Sequence, residues 1–341
     1  MTNLVVSRIC NLACPFCFAE EYRNAGDGGF ITEDAFVERL DFLQKSGMSE
    51  VRLIGGEPTL HPQFLKLVKY VQDRGMHLLV FTHGLMRKSI LEYLATLPET
   101  TCTVLVNISA GKNLSERGRE RQREVLRQLG QRASPGITIE SPAFEVEQAI
   151  SLVLETGCRK AIRLGLAQPD LTGTNRFLHP RQYPLVGSKI AFYAEIAARY
   201  DVHFEFDCGF VRCMFSEEEI STLAKTRTSF GWHCSPIPDI DIHEIAFPCF
   251  PLFGKFSTVW SADSRPGDIR EELMRQMYPY RLAGIYPSCS LCNDKANEQC
   301  SGGCLSLVLH RFRPADLSPL ESLFANISRE SLFQKGVDHG K

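Results

Sequence analysis

The chain has no apolar run approaching the length of a transmembrane helix. It opens on a strand-like Leu4-Val5-Val6 and lacks the basic segment and apolar stretch of a secretory signal. A membrane partner is therefore not expected, and the expected location is cytoplasmic. Charge of one sign is lacking too, with 38 Lys and Arg against 40 Asp and Glu. No basic patch is interleaved with aromatic residues, which removes nucleic acid from the expected partners. Internal repeats and low-complexity tracts are absent. Cysteine, by contrast, is plentiful: thirteen in 341 residues. In a reducing compartment that number argues for metal ligation or redox chemistry before disulfides.

Three of these cysteines, Cys10, Cys14 and Cys17, form CxxxCxxC directly after a short β-like run. Four thiolates complete a [4Fe–4S] cluster, so a compact loop offering three leaves one iron free for an outside ligand. Zinc with a fourth ligand from elsewhere is the alternative for such a loop. About forty residues on, Val51-Arg-Leu-Ile-Gly55-Gly56-Glu57-Pro58 reads as a buried-type strand ending in two glycines, a carboxylate and a proline. The glycines are expected to let a ligand approach the backbone, and the proline to stop the strand. A third strand, His77 to Thr82, closes on Thr82-His83-Gly84.

These segments together resemble the signatures of the radical S-adenosylmethionine (radical SAM) superfamily, with Phe16 standing where that pattern has an aromatic residue. The resemblance implies that Cys10, Cys14 and Cys17 hold a [4Fe–4S] cluster whose open iron is chelated by the amino and carboxylate groups of SAM. It implies that Gly55, Gly56, Glu57 and Pro58 form the GGEP motif that meets the methionine amine. Thr82, His83 and Gly84 fall on the family's Thr-Asn-Gly, with His83 in place of the usual asparagine. The implied activity is reductive cleavage of SAM to methionine and a 5′-deoxyadenosyl radical that abstracts hydrogen from a substrate. An external donor of flavodoxin or ferredoxin type would supply the electron.

Strand candidates Leu4 to Ile9, Glu50 to Ile54, His77 to Thr82, Thr103 to Ser109, Gly136 to Glu140 and Lys160 to Gly165 alternate with helix candidates. The helices are Glu33 to Lys45, Pro62 to Arg74, Ser89 to Leu97, Glu116 to Leu129, Val146 to Glu155 and Ser188 to Tyr200. Such alternation predicts an α/β fold with a parallel sheet, a partial (β/α)6 TIM-type barrel that is also the fold the resemblance implies. Barrel sites lie at the C-terminal ends of strands, which adds Asn107, Ser109, Glu140, Arg163 and Gln168 to the candidates. Arg163 suits the SAM carboxylate, with a surface ion pair as its alternative. Glu116 to Arg132 reads as a solvated helix face. Ser134-Pro135-Gly136 and the stretch from Gln168 to Pro184 read as loops, the second long enough to cover a substrate.

Eight more cysteines follow Tyr200: Cys208, Cys213, Cys234, Cys249, Cys289, Cys292, Cys300 and Cys304. Eight thiolates suffice for two complete [4Fe–4S] clusters, or for one with thiols to spare, while two cysteine pairs also make a zinc ribbon. Their order resembles the SPASM and twitch extensions of radical SAM proteins, implying one or two auxiliary clusters. Ile240 to Cys249 resembles the hairpin that ends on a cluster cysteine. No cysteine follows Cys304 to supply the last SPASM ligand, leaving Cys208 or Cys213 to fill the gap from upstream. The expected division is a barrel over 1–200, an auxiliary cluster domain over 201–312 and a tail over 313–341. The cluster motif begins at residue ten, without an N-terminal peptide-recognition domain before it. The expected substrate is accordingly a small molecule or nucleoside, with a peptide as the second choice. A zinc-stabilised binding module and an Fe–S electron carrier are the readings of another class.

Overall fold

The computed structural model describes residues 2–26, 29–109 and 114–312; the expected tail 313–341 lies outside them. Parallel strands β1 (Asn3–Ser7), β2 (Glu50–Gly55), β3 (His77–Thr82), β4 (Cys102–Asn107), β5 (Ala133–Ile139), β6 (Ala161–Leu166) and β7 (His203–Phe206) lie side by side in chain order. Helices α1 (Glu20–Asn24) and α2 (Glu33–Lys45) follow β1, while α3 (Phe64–Asp73) and α4 (Lys88–Thr96) follow β2 and β3. After β4, β5 and β6 come α5 (Glu116–Leu129), α6 (Glu147–Thr156) and α7 (Tyr183–Ala198). This is the expected α/β arrangement, extended by a seventh parallel strand.

Helix ends and buried faces follow from local chemistry. Thr32 caps α2 by accepting from the Ala35 amide at 3.3 Å, and Phe36, Leu40 and Leu43 line its buried face. Ser115 caps α5, which buries Val125, Leu126 and Leu129 and turns ion pairs such as Arg119–Glu116 to solvent, as its sequence predicts.

The residues after 200 continue the same sheet on both edges. β7 pairs with β6, and β8 (Asp239–Ile240) pairs in parallel with β1 through Asn3 and Leu4. β8 then forms a hairpin with β9 (Ile245–Phe247), to which β10 (Thr258–Val259) adds. In the turn, the Asp241 carboxylate accepts from the amides of His243 and Ile245. The hairpin leads directly to Cys249, as expected. Helices α8 (Glu217–Lys225), α9 (Pro266–Arg281), α10 (Asn293–Ala296) and α11 (Leu305–Arg311) complete the described chain.

Two expected loops are otherwise. Ser134-Pro135-Gly136 lies inside β5. Pro135 stands in register with Val106 of β4 and, having no N–H to donate, leaves the ladder one hydrogen bond short. Tyr183 and Pro184 belong to the first turn of α7, where proline is tolerated because its amide would be unpaired in any case.

Candidate functional site

Cys10, Cys14 and Cys17 lie on the loop between β1 and α1. Arg23 of α1 reaches back to the carbonyls of Leu12 and Cys10, at 3.5 and 3.4 Å, and the Cys17 amide donates to Cys14. Burial, then the neighbouring Cys17 and Cys10 thiols, pushes the Cys14 thiol up to about 11. Burial raises Cys10 as well. The loop thus holds three thiols within electrostatic reach of one another.

The two glycines meet the chain's own backbone. A Cβ on Gly55 would stand 2.1 Å from the Ser7 carbonyl oxygen, and one on Gly56 would stand 2.5 Å from that of Ile9. The Gly56 and Glu57 amides donate to those same carbonyls, at 2.7 and 2.8 Å. The close approach here is therefore made by the chain's own backbone. It seats the end of β2 against the root of the cysteine loop, and Gly55, at φ +150°, takes a conformation that side chains disfavour.

Glu57 is buried, and both carboxylate oxygens are engaged. One accepts from the Thr59 amide at 3.1 Å, the Thr59 hydroxyl at 2.6 Å and the Thr82 hydroxyl at 2.7 Å. The other accepts from the His83 amide at 2.9 Å and stands 3.2 Å from His83 Nε2. His83 Nδ1 accepts from the Leu85 amide, so the ring proton is assigned to Nε2, which donates to Asn11 Oδ1 at 2.8 Å. Glu57, Thr82 and His83 thereby tie the ends of β2 and β3 to Asn11 within the cysteine loop. Pro58 is buried and starts the short 3₁₀ turn that follows. Gly84, at φ +82°, fits beneath Val106, and Gln122 of α5 donates to the carbonyls of His83 and Asn107.

From β4, Asn107 donates to the Thr138 hydroxyl at 3.1 Å, and Ser109 accepts from the Thr138 amide. Arg163 is paired with Asp207 at 2.8 Å and stacks over Phe81, so its fork engages a carboxylate of its own chain, the alternative partner considered for it. Phe16 is buried, and its carbonyl faces Asn175 Nδ2 at 3.5 Å. Beside this loop opens a cleft of about 410 Å³ lined by Glu140, Ser141, Asn175, Arg176, Phe177 and Gln182. The Arg176 amide donates to Pro15 at 2.7 Å, which joins the cleft wall to the cysteine loop. Glu140 also raises the Cys14 thiol. The Gln168-to-Pro184 stretch, read from sequence as a covering segment, supplies that wall.

The eight later cysteines fall into two neighbourhoods. The Cys208 thiol is raised by burial and by Asp207 and Cys234, and that of Cys249 by burial, Cys234 and Cys208. Cys304 is raised by its hydrogen bond with Cys234, by burial and by Cys208 and Cys249. Cys234 is lowered to about 6, first by Cys304 and then, against the opposing effect of burial, by Arg281, whose Nη2 stands 3.7 Å from its sulfur. The Cys234 amide donates to Ser301 at 2.7 Å, stitching these two segments together. Cys213 is pushed up to about 11 by burial, then by Cys289, Cys300 and Cys292. An ion pair from Arg212 to Asp294, at 3.6 Å, brings the Cys213 turn to the Cys289–Cys300 segment. Cys208 is exposed as a residue, while its thiol is raised by burial first. Among the described residues, no three Cys, His, Asp or Glu side chains close on one point at metal-ligand distance.

A parallel sheet carrying a three-cysteine loop beyond β1, followed by a cysteine-rich C-terminal region, defines the class as a TIM-type α/β barrel with a cysteine-rich extension. Residues 4–134 match the model described as Radical SAM superfamily, and this part of the chain belongs to that family. A relative from Selenomonas ruminantium named S-adenosylmethionine-dependent nucleotide dehydratase is 35% identical over 83 residues, 24% of this chain and 29% of that protein. The matched stretch spans less than a third of the length of the curated relatives. Among solved structures, anSMEcpe with bound AdoMet and the Cp18Cys peptide is 17% identical with a TM-score of 0.63, covering 96% of this chain and 99% of that one. SuiB of Streptococcus suis bound to precursor peptide SuiA is 15% identical with a TM-score of 0.62, covering 89% of this chain and 71% of that one. These likenesses show the fold. No helix among the described residues is long and apolar enough to cross a membrane.

Proposed function

We propose that this chain is a cytoplasmic radical SAM enzyme acting on a small-molecule or nucleoside substrate. The observation that carries the reading is the coupling of Cys10, Cys14 and Cys17 to the ends of β2 and β3 through Glu57 and His83 within a radical SAM domain. The three thiols would hold a cluster with one open iron, a group that would supply the electron for reductive cleavage of SAM, with a flavodoxin or ferredoxin type donor as the electron's source. Cys10, Cys14 and Cys17 hold that group, while Arg23 and Asn11 fix the loop. Gly55, Gly56, Glu57, Pro58, Thr82, His83 and Gly84 would form the side of the site that SAM meets. Asn107, Ser109 and Glu140 face the same space from β4 and β5, and Arg163 borders it from β6. Residues 1–200 form the barrel and 201–312 the auxiliary part.

The later cysteines divide into Cys208, Cys234, Cys249 and Cys304 for one auxiliary [4Fe–4S] cluster and Cys213, Cys289, Cys292 and Cys300 for a second. Their electrostatic grouping supports this division. Each set then offers four thiolates, which favours electron transfer over substrate ligation or sulfur donation, since those roles need an open iron. The polar cleft beside the cysteine loop and the name of the nucleotide dehydratase relative support the nucleoside class. A peptide substrate is the second reading, favoured by the peptides held in the two fold relatives. The test is anaerobic reconstitution followed by dithionite and SAM, reading 5′-deoxyadenosine. Wild-type protein forms it, and the Cys10→Ala, Cys14→Ala, Cys17→Ala triple variant does not; formation by the triple variant refutes the proposal.

A further inference from the structure

Two buried polar side chains remain without a use. Gln168, two residues beyond β6, is 3% exposed, and among the described residues neither its amide nitrogen nor its amide oxygen has a hydrogen-bond partner. Tyr183, the first residue of α7, is 0% exposed, and its hydroxyl is unpartnered in the same sense. The amide lies near enough to act on the phenol without a well-formed hydrogen bond between them. A buried polar group left unpaired loses its solvation without compensation. Two such groups together in a close-packed interior mark a place where a partner belongs.

Both lie in the neighbourhood of the same cysteines. The Gln168 amide lies against the turn at Cys208 and Gly209: a Cβ on Gly209 would stand 2.5 Å from Nε2. Gly209 has φ +99°, so a larger residue is excluded by conformation and by space alike. On the other side, the Tyr183 phenol is raised by burial first and then by Cys304, with Tyr286 and Cys208 also contributing. The Gln168 main chain is fixed, because its carbonyl accepts from Asn175 Nδ2 at 2.8 Å and the same nitrogen faces Phe16 of the three-cysteine loop. Gln168 thus stands between the SAM-site loop and the turn that carries Cys208.

We propose that Gln168 and Tyr183 are hydrogen-bond donors to the sulfurs of the cluster held by Cys208, Cys234, Cys249 and Cys304, and that they raise its reduction potential. The inference rests on the division of cysteines proposed above. Reduction adds negative charge to a cluster, and N–H and O–H dipoles directed at its sulfurs stabilise that charge. The two side chains are positioning residues, acting on the cluster rather than on substrate.

The experiment uses the full chain with all clusters loaded anaerobically, and compares wild type, Tyr183→Phe, Gln168→Leu and the double variant. Iron content is measured, and the midpoint potentials of the auxiliary signals are followed by EPR. One auxiliary signal, the one abolished by Cys249→Ser, shifts to a more negative potential in each single variant and further in the double, while the other stays in place. Should Gln168→Leu lose iron, Tyr183→Phe, which removes one oxygen without changing shape, carries the test by the same shift. Unmoved potentials at full iron content overturn the inference alone and assign the pair to a buried water. A wild-type protein without auxiliary signals overturns the two-cluster reading, and this inference falls with it.

Discussion

Glu57 was expected from its motif as a contact to SAM, yet its carboxylate is occupied by Thr59, Thr82 and His83 inside the protein. Hydrogen bonds to a buried charge are worth about 1.5–3 kcal/mol each, and they do not simply add. Glu57→Ala removes several at once and leaves the Thr82 hydroxyl and the His83 amide without their acceptor. We expect it to lower stability by roughly 3 kcal/mol or more on that scale, and to weaken SAM binding as a consequence. Thermal unfolding followed beside a SAM titration checks this. Normal stability with lost SAM affinity would return Glu57 to the role of direct ligand. His83 belongs to the same unit. Its Nε2 proton is directed at Asn11, so His83→Ala should loosen the cysteine loop, seen as faster loss of iron from the SAM-site cluster while auxiliary iron is retained. Equal rates of loss in the variant and wild type would reduce His83 to a filler of space.

At the scale of elements, most of the barrel was legible because hydrophobic periodicity and capping agreed. The sequence reading placed α2 and α5 at Glu33–Lys45 and Glu116–Leu129, the bounds found in the structure. Legibility failed where a residue's usual punctuation was overridden by context. Pro135 reads as a turn but stands in β5, in register with Val106 of β4. Tyr183-Pro184 reads as the end of a loop but begins α7. The glycines of the GGEP segment were visible as a demand for close approach, but sequence cannot say which backbone approaches; Ser7 and Ile9 do. The hairpin from Ile240 was legible, but its pairing with β1 was not, because β8 has two residues and takes its register from β1 across the whole chain.

That junction yields a prediction about pH. Asp239 of β8 is held well above the usual carboxylate range by burial, while Asn3 donates to it at 2.6 Å. The Asn3 side-chain Oδ1 is buried and unpartnered among the described residues, and a protonated Asp239 suits it as a donor. A carboxyl whose folded pKa is raised binds its proton more tightly in the native state. Its stabilising contribution is fully present below the ordinary carboxyl range and is lost as pH rises from there through the folded value. Asp239→Asn keeps a donor and an acceptor without the ionisation cost, so it should raise the melting temperature at neutral pH and change it little near pH 4. A melting temperature lowered equally at both pH values would refute this account.

At the scale of the whole molecule, the chain faces a ligand-count problem that its sequence states and its fold addresses. With no cysteine after Cys304, the second auxiliary set needs a fourth thiol from upstream. The Arg212–Asp294 ion pair and the influence of Cys289, Cys300 and Cys292 on Cys213 put that thiol beside them. Cys208, five residues earlier, is coupled instead to Cys234. On the proposed division one short segment serves both sets, and pairwise substitutions can sort them. Cys213→Ser should remove roughly four irons per chain, the content of one [4Fe–4S] cluster. Adding Cys300→Ser should remove no more, because both changes strike the same cluster. Adding Cys208→Ser should remove roughly four further irons and leave about the four of the SAM-site cluster. Iron analysis with EPR on the reduced proteins reads each case. If the pair Cys213 and Cys300 strips more iron than either alone, while Cys213 and Cys208 do not, the two sets are exchanged. If Cys213→Ser costs no iron at all, the Cys289 segment closes its site with three cysteines, and the open iron this leaves would make substrate ligation or sulfur donation the better reading of that cluster.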